Sequence, residues 1–183
     1  MRAKTVYRKA YVFDFDDTLV KTSAKVDLYR NGAYIKSLTP KEYNFYEPDS
    51  NYTLDFSDFN NGELILNAKK YKMWPILKNV SNAIKRNQST SEIYILTGRS
   101  VETKSYIYEY LKKNGIDIDF DNIYTIGDGK GEISIPKEKV KILKDLTKRY
   151  TEVLFFDDSI DNIKIANSVK GVKGRLVENK NKR

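Results

Sequence analysis

Val12-Phe13-Asp14-Phe15-Asp16-Asp17-Thr18-Leu19 is the stretch that decides the fold of this 183-residue chain. It continues an apolar run over residues 10–15, which predicts a strand that is buried on both faces of a sheet. Asp14 and Asp16 stand at the end of that run. Because side chains two positions apart in an extended chain point to the same side, both carboxylates are expected to face one site at the carboxyl end of the strand.

Similar short runs of β-branched and aromatic residues alternate with helical patterns along the rest of the chain. The later strands are predicted over residues 93–96, 123–126, 153–156 and 175–177. The helices are predicted over residues 73–86, 100–114, 137–150 and 160–169, with Ser100 as the cap of the second helix and Gly115 at its end. This alternation predicts one α/β domain over residues 1–183, with a doubly wound parallel sheet that binds ligands at the carboxyl ends of its strands.

Residues 21–72 do not follow this alternation, and we interpret them as a small insertion that forms a flap or cap. Within it, Asn31-Gly32 favours a two-residue turn between strands at residues 26–30 and 33–38. Counted outward from the turn, the predicted cross-strand pairs are Tyr29 with Tyr34, Leu28 with Ile35, and Asp27 with Lys36. The partners in each pair match in chemical kind, so a β-hairpin is predicted here.

The insertion continues with a helix start and an acidic segment. Thr39 is a favourable N-cap, Pro40 suits the first helical position, and Glu42 can complete a capping box. Residues 49–61 are rich in aspartate and aromatic residues and are predicted to form a loop. An insertion of this size is too short for a large helical cap, so the active site is expected to be rather open.

The residue types that are absent narrow the chemistry. The chain has no cysteine, which excludes disulfides, thiolate zinc sites and cysteine nucleophiles. It also has no histidine, which excludes a Ser-His-Asp triad and every metal site with a histidine ligand. Carboxylates, hydroxyls, lysine and arginine remain, and they suit hard cations with oxygen ligands, chiefly Mg²⁺.

A second acidic pair, Asp157-Asp158, follows the predicted strand at residues 153–156. If that strand lies beside the first one, four carboxylates converge at one edge of the sheet. Like charges at short distance disfavour each other unless a cation lies between them, and a bound Mg²⁺ would also bridge the oxygens of a phosphate ester. Asp14 could then attack phosphorus to form an acyl phosphate, with Asp16 as the general acid and base.

These residues resemble the haloacid dehalogenase (HAD) superfamily, whose first motif is a strand followed by Asp-x-Asp-x-Thr/Val. The resemblance implies a HAD-like Rossmannoid fold and a Mg²⁺-dependent phosphatase, with Asp14 as the nucleophile, Asp16 as the acid and base, and the Asp16 carbonyl as a Mg²⁺ ligand. Thr97-Gly98-Arg99 looks like the second motif. The resemblance implies that the Thr97 hydroxyl and the Gly98 amide hold the phosphoryl oxygens. Arg99 is interpreted either as a further phosphate contact or as a salt bridge at the helix start.

The later motifs supply a lysine and further acidic residues. Lys139 resembles the lysine of the family's Pro-x-x-Lys pattern after Pro136, and Lys137 is the alternative. Asp157 and Asp158 look like the Asp-Asp form of the fourth motif, which implies that they are metal ligands.

Two other segments contain acidic or amide residues that we do not interpret as metal ligands. Asp161 and Asn162 are predicted to lie in the first turn of the helix after the fourth motif, where an acidic group suits the helix dipole. Asp128 is interpreted as a loop residue, because in the family the lysine motif precedes the acidic motif.

The substrate is less constrained than the chemistry. A net charge of +8 suits a polyanion such as DNA or RNA, although a composition rich in Lys, Asn, Ile and Tyr also follows from an AT-rich genome. The layout looks like small HAD hydrolases encoded by phages and like the phosphatase domains of polynucleotide kinases. The first hypothesis is therefore a phosphatase for nucleic-acid ends or nucleotides. The alternatives are a phosphatase for another small metabolite and a binding module without catalysis.

The sequence also bears on location. No long apolar run occurs, and residues 1–9 carry no signal-peptide core. A cytoplasmic protein that makes no membrane contact is therefore expected. The motifs described above predict a phosphate ester as its substrate.

Overall fold

The computed structural model describes residues 8–47 and 49–177. The strands are β1 (Lys9–Phe13), β2 (Val20–Lys21), β3 (Val26–Arg30), β4 (Ala33–Leu38), β5 (Tyr52–Asp55), β6 (Lys69–Lys70), β7 (Glu92–Ser100), β8 (Ile123–Gly127), β9 (Glu152–Asp157) and β10 (Val172–Leu176). The α-helices are α1 (Pro40–Tyr43), α2 (Glu63–Leu66), α3 (Trp74–Lys85), α4 (Lys104–Lys113), α5 (Ile135–Thr147) and α6 (Ile160–Ala166). Short 3₁₀ helices occupy Ser57–Asn60, Val101–Thr103 and Phe120–Asn122.

The central sheet has five strands in the spatial order β10-β9-β1-β7-β8, and every neighbouring pair is parallel. The four longest helices of the described chain connect these strands, as the alternation in the sequence predicts. The predicted doubly wound α/β fold is confirmed.

The core lies in two layers, one on each face of this sheet. In β1, Phe13 belongs to one layer and Val12 to the other, because successive side chains of a strand point to opposite faces. The Phe13 layer includes Leu77 of α3, and the Val12 layer includes Leu143 of α5. A strand buried on both faces has no polar face, which is why these runs are almost continuously apolar.

The start of α4 differs from the prediction. β7 continues through the second motif as far as Ser100, a 3₁₀ turn follows, and the N-cap of α4 is Thr103. Ser100 was expected to cap this helix, but its side chain makes no cap hydrogen bond. The strand pairing with β8 extends the backbone to Ser100, so the helix cannot begin there. No helix among residues 8–47 and 49–177 combines the length and the apolar character that a bilayer crossing requires.

The end of α4 agrees with the prediction. Gly115 has a φ of +73°, in the left-handed region that glycine adopts without strain. Its N–H donates to the Lys112 carbonyl, and the N–H of Ile116 donates to the Leu111 carbonyl, both at 2.9 Å. These bonds satisfy the last carbonyls of the helix.

Between β1 and α3 the chain builds a small separate layer. β2 pairs antiparallel with β6, so the two ends of this segment lie side by side. The segment also contains a three-stranded sheet in the order β4-β3-β5. Residues 49–61 were predicted to be a loop, and this was wrong for β5, which pairs with β3 over Tyr52–Asp55. The exposed side chains of Thr53 and Asp55 alternate with the partly buried Tyr52 and Leu54, so backbone pairing with β3 forms a strand in a segment with a composition typical of loops.

The hairpin of β3 and β4 has the predicted turn but not the predicted register. Asn31 and Gly32 both have positive φ, as a tight two-residue hairpin turn requires, and Tyr29 lies opposite Tyr34. The register then shifts between Leu28 and Tyr29. As a result Leu28 pairs with Lys36 instead of Ile35, and Asp27 pairs with Ser37 instead of Lys36. A bulge of this kind adds one residue to a strand and cannot be read from the turn alone.

The helix start after the hairpin is confirmed. Thr39 accepts the N–H of Glu42, and the Glu42 carboxylate accepts the N–H of Thr39, which completes the capping box.

Candidate active site

The acidic residues of the first and fourth motifs meet at one end of the central sheet. β1 lies between β9 and β7. Asp14 directly follows β1, and its N–H donates to the Phe156 carbonyl of β9 at 2.8 Å. Asp157 ends β9, while Thr97 lies in the carboxyl-terminal part of β7. Three adjacent parallel strands therefore bring the predicted nucleophile, a predicted metal ligand and the predicted phosphate-binding hydroxyl to one edge.

Lys139 lies between two buried carboxylates. Its Nζ donates to Asp14 Oδ1 at 2.7 Å and to Asp157 Oδ2 at 2.6 Å, and the residue is 2% exposed. Burial alone would lower the pKa of Lys139, but the charges of Asp14 and Asp157 outweigh it and raise that pKa. Burial raises the pKa of Asp14 well above its ordinary value, and Lys139 acts in the opposite direction. The alternative residue, Lys137, is exposed on α5, so Lys139 is the lysine that contacts the predicted nucleophile.

The segment after β9 holds Asp157 in place. Asn162 Nδ2 lies 3.0 Å from both carboxylate oxygens of Asp157, and the N–H of Ser159 donates to Asp157 Oδ1 at 2.8 Å. The Ser159 side chain also caps α6 by accepting the N–H of Asn162. Asn162 lies in the first turn of α6 as predicted, but its contact with Asp157 was missed. The available signal was position, because side chains in a first helical turn tilt back toward the segment before the helix.

Asp14, Asp157 and Asp158 form a group with the spacing of metal ligands, which we call the acidic cluster. One carboxylate oxygen from each residue lies within 4.8 Å of the others. Opposite ligands of Mg²⁺ are about 4.1 Å apart, so small side-chain movements would let all three share one ion. Burial, and then the charge of Asp157, raise the pKa of Asp158 to about 7. A donor set of carboxylate oxygens fits Mg²⁺ better than a soft metal.

Asp16 lies in a separate hydrogen-bond network beside the acidic cluster. Arg99 is fully buried, and it holds the carboxylate through Nε, 2.7 Å from Oδ2, and Nη2, 2.8 Å from Oδ1. Thr22 donates to the same Oδ1 at 3.0 Å and accepts from Arg99 Nη2 at 3.1 Å. Arg99 was interpreted either as a phosphate contact or as a salt bridge at the helix start; in the structure it lies in β7, before the helix, and forms its salt bridge with Asp16. Thr22 was not predicted, because nothing in the motif marks a hydroxyl six positions after Asp16.

Thr97 and Gly98 line a cavity together with Asp14. Thr97 is buried, and its Oγ1 accepts the N–H of Arg99 at 3.3 Å. Gly127 of β8 makes this geometry possible, because a Cβ at that position would lie 1.8 Å from the Gly98 carbonyl oxygen. The backbone of the second motif therefore depends on a glycine in the neighbouring strand β8.

Asp128 lies in a loop, as predicted, and its carboxylate bonds to the backbone of that loop. Its carboxylate accepts the N–H groups of Lys130 and Gly131 at 2.9 Å and that of Glu132 at 3.1 Å. These bonds, led by the one from Lys130, hold the pKa of Asp128 below its ordinary value. The loop contacts the inserted segment, where Asn60 Nδ2 donates to the Gly129 carbonyl at 3.4 Å.

A cavity of about 650 Å³ opens at this edge of the sheet, with Asp14 and Asp16 in its lining. Part of the lining consists of aromatic side chains from the segment between β1 and α3. We call this set the aromatic wall, and its members are Tyr43, Phe45, Tyr46, Phe56 and Phe59. The sequence did not predict it, because the five rings come from a helix start and a segment interpreted as loop. The inserted segment therefore contributes directly to the site.

Comparison with known proteins agrees with these motifs. A family model described as haloacid dehalogenase-like hydrolase matches residues 8–170. The HAD domain of effector protein Lem4 from Legionella pneumophila is a similar solved structure, with 18% identity, a TM-score of 0.47, and coverage of 93% of this chain and 86% of that one. A search of the curated proteins finds no match. Because the family match spans every motif from Asp14 to Asp158, the chain belongs to the haloacid dehalogenase-like hydrolases.

Proposed function

We propose that this protein is a Mg²⁺-dependent phosphatase, a phosphoric monoester hydrolase that acts through an aspartyl-phosphate intermediate on nucleic-acid ends or nucleotides. One observation carries the proposal: Lys139 contacts both Asp14 and Asp157. A carboxylate and a phosphate dianion repel each other, so attack requires positive charge at the point where they meet. Lys139 supplies such a charge at the attacking group.

In the first step, a carboxylate oxygen of Asp14 attacks phosphorus, and the bond from phosphorus to the leaving oxygen breaks. Asp16 gives its proton to that oxygen, so the leaving group departs as an alcohol. Thr97 and Gly98 line the same cavity, where their hydroxyl and amide groups would donate to the phosphoryl oxygens. The product of this step is phosphorylated Asp14.

In the second step, a water molecule attacks phosphorus while the Asp16 carboxylate takes the water's proton. The bond between phosphorus and Asp14 breaks, inorganic phosphate leaves, and both carboxyl groups return to their starting states. Arg99 and Thr22 hold the Asp16 carboxylate in position for this role. A carboxylate has about four acceptor sites. Arg99 and Thr22 fill one site on Oδ2 and two on Oδ1, which leaves a site on Oδ2 for the catalytic proton.

The acidic cluster is the proposed Mg²⁺ site, with the Asp16 carbonyl as a further ligand implied by the family. When bound, the ion would add positive charge beside the phosphoryl oxygens. Asn162 and Ser159 orient Asp157 for this role, since a carboxylate ligand depends on the groups that hold it.

Two features favour nucleic-acid ends or nucleotides as substrates. The chain has a net charge of +8, which favours association with a polyanion. The aromatic wall also offers ring faces on which a base can stack. A sugar phosphate or another small polar ester would leave these rings without a partner of matching polarity.

The test is turnover of p-nitrophenyl phosphate with Mg²⁺, with EDTA in place of Mg²⁺, and in the variant Asp14→Asn. We expect EDTA to abolish turnover and Asp14→Asn to lower it by at least about three orders of magnitude, as for other lost nucleophiles. Asp145→Asn is the matched control, because Asp145 is an exposed residue of α5 that pairs with Lys148. Turnover that survives in Asp14→Asn would refute the proposal.

A further inference from the structure

We propose that the aromatic wall is a nucleobase subsite with Phe45 as its stacking ring, and that the substrate is a nucleoside monophosphate rather than the end of a polynucleotide. This inference rests on the proposed phosphatase function of the same site and names its substrate class. The rings, the charge of the cavity lining and the exposure of Phe45 support it independently of the catalytic residues.

Three rings of the aromatic wall hold one another in place. Tyr43 and Phe56 meet edge to face with their centroids 5.3 Å apart, and Phe59 lies 6.5 Å from Phe56. Phe59 also contacts Arg99, because the centroid of its ring lies 5.3 Å from the guanidinium carbon. Aromatic groups in such mutual contact form a rigid surface, and a rigid surface loses little entropy when a ligand binds. These three rings therefore form a preorganised apolar side of the cavity, next to the Arg99 that holds Asp16.

Phe45 differs from these three rings. It lines the same cavity, yet it is 76% exposed and, within the described part of the chain, stacks on no other ring. It follows Asn44, whose Nδ2 donates to Asp158 Oδ2 at 3.2 Å. Phe45 is thus one residue away from a direct contact with the acidic cluster. A phenyl ring exposed at the mouth of a catalytic cavity is positioned to cover a base whose phosphate lies at Asp14.

The charge of the cavity lining decides between a mononucleotide and a strand end. The carboxylates in the lining are Asp14, Asp16, Glu47, Asp128, Asp158 and Asp161, and its cations are Arg99 and Lys139. Six carboxyl groups against two cations give the lining a formal charge of −4, and both cations already pair with carboxylates. A divalent ion and one terminal phosphate can be matched here. Further phosphodiester groups would face like charge, whereas a neutral base would not.

The experiment compares kcat/KM for a nucleoside 5′-monophosphate, ribose 5-phosphate and a 5′-phosphorylated oligonucleotide, all with Mg²⁺. The corresponding 3′-phosphates form a second series. Stacking of one base on an aromatic side chain is worth roughly tenfold in binding. We expect the wild-type protein to prefer the nucleotide over ribose 5-phosphate by about that factor or more, and over the oligonucleotide as well. Phe45→Ala should remove about tenfold of the preference over ribose 5-phosphate.

Tyr34→Ala is the matched control, because Tyr34 is an exposed ring of the same inserted segment, 56% exposed, and is absent from the cavity lining. It should keep the full preference. Binding of the nucleotide to Asp14→Asn, measured by calorimetry with and without Phe45→Ala, tests the subsite without any turnover. Loss of nucleotide affinity in the Phe45→Ala background supports the proposal even if the protein is not a phosphatase.

Three results would overturn the inference: equal kcat/KM for the nucleotide and ribose 5-phosphate, equal effects of Phe45→Ala and Tyr34→Ala, or a preference for the oligonucleotide that weakens as salt rises. The last result would identify a strand end as the substrate, because contacts to a phosphate backbone depend steeply on salt. Failure of the phosphatase function looks different, since no phosphate ester would then be turned over in a reaction that requires Asp14.

Discussion

Asp14 and Asp158 of the acidic cluster line the same cavity as the aromatic wall, but the two regions are built in opposite ways. Asp14 and Asp157 are buried at strand ends of the central sheet, and each contacts Lys139. The aromatic wall comes from the segment between β1 and α3, and three of its rings, Tyr43, Phe56 and Phe59, contact one another. Under the proposed function, the sheet would carry the chemistry and the segment between β1 and α3 would select the substrate.

The two regions also differ in how much a single substitution should cost. Removing one member of a buried charge network leaves its partner uncompensated in a medium of low polarity, which costs more than the lost contact itself. Removing one exposed ring loses only a stacking surface. We therefore expect large effects on turnover from substitutions beside the acidic cluster and small, substrate-dependent effects from substitutions in the inserted segment.

The largest of these further effects is expected for Lys139→Met, which keeps the apolar stem and removes the charge. Asp14 and Asp157 would then face each other without the intervening ammonium group. We expect kcat/KM for p-nitrophenyl phosphate to fall by about two to three orders of magnitude, as when other preorganised charges are lost. Lys137→Met is the control, since Lys137 is exposed and two positions away on α5. Equal losses in both variants would show that Lys139 has no special role.

An intermediate effect is expected for Arg99→Lys, which keeps the charge but cannot hold both oxygens of Asp16 as a planar fork does. If Arg99 positions Asp16, kcat should fall by roughly tenfold to a hundredfold while KM stays nearly constant, because proton transfer is impaired and binding is not. The pH profile of kcat should shift as well. Arg86→Lys, at the exposed end of α3, is the control. A rise in KM at unchanged kcat would instead identify Arg99 as a phosphate-binding residue.

The central sheet and its connecting helices could be predicted from the sequence because their signals are local. A strand buried on both faces, such as β1, must be apolar along its whole length, and only a parallel sheet with crossover helices fits several such runs. The predictions that failed depend on long-range pairing. β5 is a strand because β3 lies beside it. The helix α4 begins later than predicted because β8 holds the backbone of β7 extended as far as Ser100.

The site divides in the same way. The position of Asp14, Thr97 and Asp157 at one edge of the sheet could be predicted, because each follows a predicted strand in a recognisable motif. The partner of Arg99 was not identified, since Asp16 is 83 positions away and several arrangements of the sheet were compatible with the sequence. The aromatic wall was also missed, because its rings have no periodic spacing and meet only after the inserted segment has folded.

The smallest effect is expected at Asn44, where the inserted segment contacts the acidic cluster through the bond to Asp158 Oδ2. Asn44 is exposed, so its bond to the proposed metal ligand should contribute little to stability. If the bond orients Asp158 for Mg²⁺, Asn44→Ala should raise the Mg²⁺ concentration for half-maximal turnover by roughly threefold, less than is typical for buried groups that hold metal ligands. Asn51→Ala, in the exposed turn before β5, should leave it unchanged. A lower Mg²⁺ requirement in Asn44→Ala would mean that Asn44 competes with the ion for Asp158. The segment between β1 and α3 would then weaken, rather than support, Mg²⁺ binding at the acidic cluster.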